Sequence, residues 1–546
     1  MEATQRKRII LIISSVAILI ALLVVFRFAF SSSAKTRITN LLHLGNKISV
    51  KNDTQKLTST DLMKKYYDVF GYNEMWTLPQ KQDDQYRNML LSMLDYADSL
   101  GLNRADYHAD FISRYDSMIK LPEFDYDKYK TESEVIFTDA ALSFLYNVAY
   151  GKEIKTEYNG VKYNIDSNRI LNVYNQLMQH RNWHRTLDSI EPKIEQYLTL
   201  KNKLNYMRAF VRDFPETDTL VADNTDGGNI IAGIKLRFYG IISDSLAADS
   251  SGRPMLKAPL IAFQKMMGID TSGKLDDKTL KALNFPLPKR MAQMKESLNY
   301  WRWTGRLQEK EFILVNLPAA RLQVVNPDSA KDLTMRVIVG KTATQTPSFT
   351  AYITKVITYP YWTVPLSIAT KEMLPKIKKR LAYLDENNLQ VFDAKGKIID
   401  PATVNWNKYS VKYFPFTIRQ STGCDNSLGV LKFDLNSPFS IYLHDTNHRE
   451  LFANSNRFMS HGCVRVEKPM ELANYVLKDG LDSATIEQLN QCLHDQTPKE
   501  FPLKNKLPVL ILYMTADIDA NGNLKFYNDV YKLDDDLVLE KPKTAA

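Results

Sequence analysis

Cysteine is scarce in this sequence: 546 residues hold Cys424, Cys463 and Cys492 and no others. That is too few for the disulfide framework of a small exported domain, and the three do not describe a zinc site. A concentrated basic stripe is also missing. The net charge of +9 is spread along the chain, without an aromatic-interleaved basic motif, so nucleic acid is not an expected partner. No H-E-x-x-H motif occurs. His444-x3-His448 with Cys463 is the nearest thing to a metal set, but strand-end spacing does not put i and i+4 on one helical face. Neither a metal nor a cofactor is therefore expected. Hydrophobic residues at 44%, aromatic at 11% and charged at 24% are ordinary for globular protein, and the length suits two to four domains.

What is present begins at the N-terminus. Arg6-Lys7-Arg8 precede an apolar or small run from Ile9 to Phe26. About 18 residues is near the lower limit for a spanning helix and longer than the usual secretory core. Basic residues before the run predict a cytoplasmic N-terminus, with everything after it outside. The expectation is an uncleaved, single-pass anchor in the inner membrane. Ser31-Ser32-Ser33-Ala34 leaves a cleaved signal peptide as the alternative.

Up to about residue 222 the pattern is mainly helical. Leu90, Met93, Leu94 and Ala97 keep helical spacing before Gly101, and Leu142, Leu145 and Ala149 do so before Gly151. Pro192 to Phe214 is a third candidate, with Pro192 at the first helical position. His108 reads as structural. Asn224 to Gly228 is a junction. Three short helices follow, at 234–239, 259–267 and 276–283, and then an amphipathic helix ending in Tyr300-Trp301-Arg302-Trp303. From Phe312 the period becomes strand-like. Residues 367–406 return to a helical pattern. Leu507–Met514 and Lys525–Tyr531 read as closing strands joined by an Asn-Gly hairpin at 520–523, and the chain from about Asp534 is expected to fray.

The chemistry gathers at Ser460-His461-Gly462-Cys463-Val464-Arg465 and, upstream, at Tyr442-Leu443-His444-Asp445. A Cys with a positioned His is the equipment of thiol catalysis: the imidazole takes the proton and the sulfur attacks. Gly462 frees the backbone to aim N–H groups at a developing oxyanion. Strand ends can bring His444 and Cys463 together. Adjacency does not do the same for His461, because successive side chains point to different sides.

The combination His-x15-Ser-His-Gly-Cys resembles the signature of the L,D-transpeptidases, whose catalytic domain is of YkuD type. Pro360-Tyr361-Trp362-Thr363, Tyr72 to Thr77 and Gly101 to His108 are similar to the large periplasmic, YcbB-like members. The resemblance implies an α+β multidomain protein. Its parts would be a membrane segment (1–34), a helical scaffold (35–222), a small three-helix peptidoglycan-binding domain (223–288), a linking helix (289–310), a mostly-β catalytic domain (311–480) with a helical capping insertion (367–406), and a C-terminal extension (481–546). Ala262-Phe263-Gln264, Gly268, Gly273 and Thr279-Leu280 carry the likeness to the binding domain. Thr422, Cys424, Asn447 and Tyr359 depart from the family pattern, all in loops.

The activity so implied is release of a terminal D-Ala from a peptidoglycan stem and 3→3 cross-linking through a thioester, with stem peptides as donor and acceptor. An L,D-carboxypeptidase using water and an inert wall-binding protein are the rival readings. In the implied roles Cys463 is the nucleophile and His444 the proton donor and acceptor. The Asp445 carbonyl orients His444, and the backbone of His461, Gly462 and Cys463 forms the oxyanion site. Arg465, Arg419, Tyr442 and Trp362 are candidates for substrate binding. Cys424 and Cys492 could pair.

Overall fold

The computed structural model describes residues 34–43, 45–77, 82–213, 219–220, 226–242, 255–307, 311–326, 333–478, 480–494 and 496–537. The Ile9–Phe26 run lies outside the described residues, among which no helix is long and apolar enough to cross a membrane. The chain forms two compact units, one of residues 1–153, 164–215 and 298–306, the other of residues 154–163, 216–297 and 307–546.

The first unit is helical, as the apolar periodicity predicts, and is organised on the helix Tyr126–Tyr150. Asp125 caps it by accepting the Lys128 N–H. Gly151 ends it at φ +65°, where a Cβ would lie 2.8 Å from the Asn299 carbonyl oxygen. A helix buried nearly all round needs no polar stripe, yet this one carries two buried carboxylates. Glu134 accepts the N–H groups of Met75 (2.9 Å), Trp76 (2.8 Å) and Thr77 (3.1 Å), which pins the Tyr72–Thr77 stretch. Asp139 accepts the Ser59 N–H (2.7 Å) and Oγ (2.6 Å) and faces His108 Nε2 at 2.8 Å. Both nitrogens of His108 are engaged, the second with Gln55 Oε1 at 2.9 Å, which fits the structural role expected of it. The third candidate helix runs Glu195–Asp213, so Pro192 stays outside it. The preceding helix, Trp183–Ile190, is followed by Glu191 as its C-cap, whose carboxylate accepts from Tyr197 Oη and Lys201 Nζ, and Pro192 lies in the connection. Leu298–Arg306, the end of the helix Leu287–Trp303, belongs to this unit. There Arg302 donates to the Leu100 carbonyl and to Tyr197 Oη.

In the second unit the three short helices are Asp226–Phe238, Lys257–Met266 and Asp277–Leu283. Buried Gln264 fastens the turn between the last two. Its amide donates to Ser272 Oγ, the Lys274 carbonyl and Thr279 Oγ1, and its carbonyl accepts the Gly273 N–H.

The strands after residue 311 close into a ring: Leu431–Leu435, Leu443–His444, Val464–Val466, Thr334–Gly340, Arg321–Val325, Phe312–Asn316, Lys499–Leu512 and Phe349–Thr358, which pairs again with Leu431–Leu435. Inward residues such as Ile313, Val337, Phe433, Leu443, Val464 and Val509 fill its centre and are buried to the last ångström of surface. The strand Leu443–His444 runs parallel to Val464–Val466, so the two motif segments are direct neighbours. The C-terminal hairpin differs from expectation. Leu524–Phe526 pairs with Ala516–Ile518, and the earlier segment instead runs on in Lys499–Leu512, clamped between Phe312–Asn316 and Phe349–Thr358. Asp534 is not frayed: it accepts from Gln293 and Thr515 at 2.7 Å.

The insertion is not purely helical. Leu366–Ile368, Ala369–Met373 and Leu374–Lys379 pack on a three-stranded sheet of Trp362–Thr363, Thr417–Gln420 and Leu389–Phe392. Only Thr417–Gln420 of these strands lies beyond residue 406, and the sheet's apolar face needs the helices to cover it. Cys424 and Cys492 are disulfide-bonded.

Candidate active site

The ring topology sets the site. In the parallel pair Leu443 faces Val464 and His444 faces Arg465, and the Val464 N–H donates to the Tyr442 carbonyl at 3.1 Å. Paired residues share a face and neighbours alternate. Leu443, Val464 and Val466 point into the core, which puts His444, Arg465, Tyr442 and Cys463 on the other face. The antiparallel neighbour adds Lys432, opposite His444.

His444 is 4% exposed, and its Nδ1–H donates to the Asp445 carbonyl at 2.5 Å. That bond fixes the tautomer and leaves Nε2 as the acceptor. The Asp445 side chain is a structural anchor for the same carbonyl. It accepts Arg449 through both oxygens at 3.0 Å and the Val430 N–H at 3.1 Å, and it packs on Gly429 so closely that a Cβ there would overlap its carboxylate. Burial first, then the charges of Arg465 and Lys432, push His444 down to about 3. The imidazole is neutral in the resting protein.

Cys463 is a half-buried free thiol. It donates to the Ser440 carbonyl at 3.5 Å, and the Tyr442 hydroxyl hydrogen-bonds the sulfur. Burial raises the thiol above its ordinary value, opposed by Tyr442, Lys432 and Arg465. The resting pair is therefore a thiol and a neutral imidazole, not a preformed thiolate–imidazolium pair. Tyr442 is held in turn by a hydrogen bond from Trp362 and by the Lys432 amine 4.3 Å from its ring centre.

The Ser460–Cys463 turn is braced by side chains. Thr346 Oγ1 donates to the Gly462 carbonyl (2.7 Å) and accepts the Gly340 N–H (2.9 Å), while Ser460 Oγ donates to the Cys463 carbonyl at 2.6 Å. The Gly462 N–H is given to Ser460 Oγ at 3.1 Å, so of the three expected oxyanion donors this one is engaged here. The His461 ring is turned to Glu372 of the insertion, with Nε2 2.6 Å from Oε1. Arg419 lies between the rings of Tyr361 (4.4 Å) and Phe392 (4.3 Å) in the insertion's sheet and donates to Gln390.

Sequence reasoning missed Thr346, Lys432 as a charge on His444, Arg449 and Glu372. Arg449 stands four residues after Asp445 but outside any helical pattern, and Thr346 lies 116 residues from Gly462. Glu372 lies 89 residues from His461 and left no local signal.

A buried, oriented imidazole on the same sheet face as a free thiol is the kind of equipment that thiol acyl-transfer chemistry uses. Residues 310–494 match the YkuD family, described as the L,D-transpeptidase catalytic domain, and residues 61–204 match a family described as a scaffold domain. Residues 310–494 are thus similar to an L,D-transpeptidase catalytic domain of YkuD type. A Haemophilus influenzae protein named "Putative L,D-transpeptidase" is 37% identical over 222 residues, which is 41% of this chain and 44% of that relative. Among solved structures, the Ldtfm-avibactam carbamoyl enzyme aligns over 40% of this chain and 61% of its own, at 12% identity and a TM-score of 0.17. An L,D-transpeptidase from Stackebrandtia nassauensis aligns over 57% of this chain and 90% of its own, at 14% identity and a TM-score of 0.18.

Proposed function

We propose that this chain is a cell-wall L,D-transpeptidase that forms 3→3 peptidoglycan cross-links through a thioester on Cys463. The observation that carries the reading is the locked His444 tautomer, with a neutral Nε2 on the same sheet face as the only free thiol among the described residues. Cys463 attacks the carbonyl carbon of the third stem residue and its proton passes to His444 Nε2. The tetrahedral oxyanion faces the backbone of the Ser460–Cys463 turn, with the N–H groups of His461 and Cys463 as donors. Collapse breaks the C–N bond, and the departing D-Ala amine takes the proton from His444. The side-chain amine of a second stem then attacks the thioester, giving a proton to His444 that returns to the sulfur. Arg465 and Lys432, on the same face, are suited to the stem carboxylates. Trp362 positions Tyr442, and the insertion acts as a lid over the site. Arg6-Lys7-Arg8 and Ile9–Phe26 anchor the chain in the inner membrane with this domain in the periplasm, and the three short helices hold the wall polymer.

The test is incubation with purified disaccharide tetrapeptides and mass analysis of the products. The expected outcome is one D-Ala lost for each cross-linked dimer. Tripeptide monomer alone would make water the acceptor and the protein a carboxypeptidase. Unchanged tetrapeptide with a properly folded protein would leave only a wall-binding role.

A further inference from the structure

The insertion touches the Ser460–Cys463 turn through a side chain that the proposed chemistry leaves without a role. Residues Ala369–Met373 form a π-helical turn between the α-helical segments Leu366–Ile368 and Leu374–Lys379. A π-turn widens the helix and re-aims its side chains, and such turns recur at functional sites. Here Ala369, Met373, Leu374 and Ile377 are buried in the insertion's own core. Glu372 of the same turn is exposed, and its Oε1 lies 2.6 Å from Nε2 of His461.

The other residues of the Ser460–Cys463 turn are held from nearby. The Ser460 carbonyl accepts from the Lys341 N–H at 3.0 Å and from Thr344 Oγ1 at 3.2 Å. Thr346 and Ser460 hold the carbonyls of Gly462 and Cys463. The His461 ring is fastened to the insertion instead. Gly462, next along, stands at φ +119°, where no Cβ restrains the chain, and a Cβ built there would meet only the Gln345 carbonyl oxygen, at 3.8 Å. The turn is therefore soft on the side of His461 that leads to the thiol. A half-exposed pair such as Glu372 and His461 adds little to stability. What the contact supplies is position.

We propose that Glu372 is a positioning residue for acylation, a role that rests on the thioester chemistry proposed for Cys463. Seated on His461, it aims the His461 N–H at the oxyanion that forms when the sulfur attacks an acyl carbon. The test compares two reactions of one thiol in the full chain. A carbapenem acylates Cys463 through an oxyanion, and iodoacetamide alkylates it without one. Glu372→Ala should slow acylation at least about tenfold. Alkylation should stay within about twofold and the melt should match the wild type. Glu372→Gln, whose amide oxygen can accept the same Nε2–H, should recover most of the loss. Added to His461→Ala, Glu372→Ala should cost no more than about twofold further, because the ring it holds is already gone. Equal acylation by a wild type that forms the adduct and by Glu372→Ala would overturn this role alone. So would a parallel fall in alkylation, which reports access or folding, no recovery in Glu372→Gln, or a further tenfold loss in the double variant. A wild type that alkylates but never acylates would refute the proposed function and this role with it.

Discussion

The protonation state of His444 is open to direct test. Burial, Arg465 and Lys432 move it from 6.5 to about 3. That lowering corresponds to about 5 kcal/mol against charging the ring in the folded protein. An ordinary imidazole would be only about 3% neutral at pH 5, and a base of that kind would lose roughly 30-fold in rate between pH 7.5 and 5. His444 stays neutral across that span, so acylation of Cys463 by a carbapenem should change by less than about twofold. The thiol shift works in the same direction. With Cys463 raised by burial, alkylation by iodoacetamide should be slow at neutral pH and climb into the alkaline range, without a reactive plateau at low pH. His444→Gln should cut acylation by about 10²–10⁴-fold, whereas His461→Ala should keep the pH profile, since its ring faces Glu372. Stability gives a second reading. The folded state binds fewer protons than the unfolded chain between pH 6.5 and 3, so stability falls as pH drops through that window, by about 2 kcal/mol at pH 5. His444→Gln should remove that loss. Stopped-flow acylation and denaturant melts at both pH values measure these. An acid limb near pH 6.5 in the wild type, or a low-pH thiolate plateau abolished by His444→Gln, would refute the neutral pair.

Three further outcomes are expected. Gly429→Ala, at φ +59° and against the Asp445 carboxylate, should displace the carbonyl that holds His444; acylation should fall at least about tenfold with the thiol still titratable, read by adduct mass against time. Cys424→Ala or Cys492→Ala opens a link spanning 68 residues and should cost up to about 4 kcal/mol in denaturant melts, while the acyl adduct still forms; Cys463→Ala should abolish the adduct and leave the melt in place. Glu134→Gln sets an amide N–H₂ among N–H donors and should destabilise the first unit by about 1–3 kcal/mol, read by thermal melting, with little effect on acylation.

The sequence by itself determined the elements whose cause is local. The apolar period of residues 82–95 and 126–150, the glycine stops at 101 and 151, the change of period after Phe312 and the Ser-His-Gly-Cys turn all act through near neighbours. That the His461 ring turns elsewhere, to Glu372, accords with the alternation expected along an extended chain, which is a local rule. Tertiary structure decided what depends on partners far along the chain. The strand Lys499–Leu512 lies between Phe312–Asn316 and Phe349–Thr358 because closing the ring satisfies both of its edges, and no local pattern encodes that choice. Cys424 meets Cys492 across 68 residues, and Arg449 with Gly429 fixes the carbonyl that orients His444. The charge state of His444 and Cys463 was likewise hidden: a pKa is set by burial and by which cations face the ring, and Lys432, Arg465 and the core beneath them meet His444 only when the ring closes.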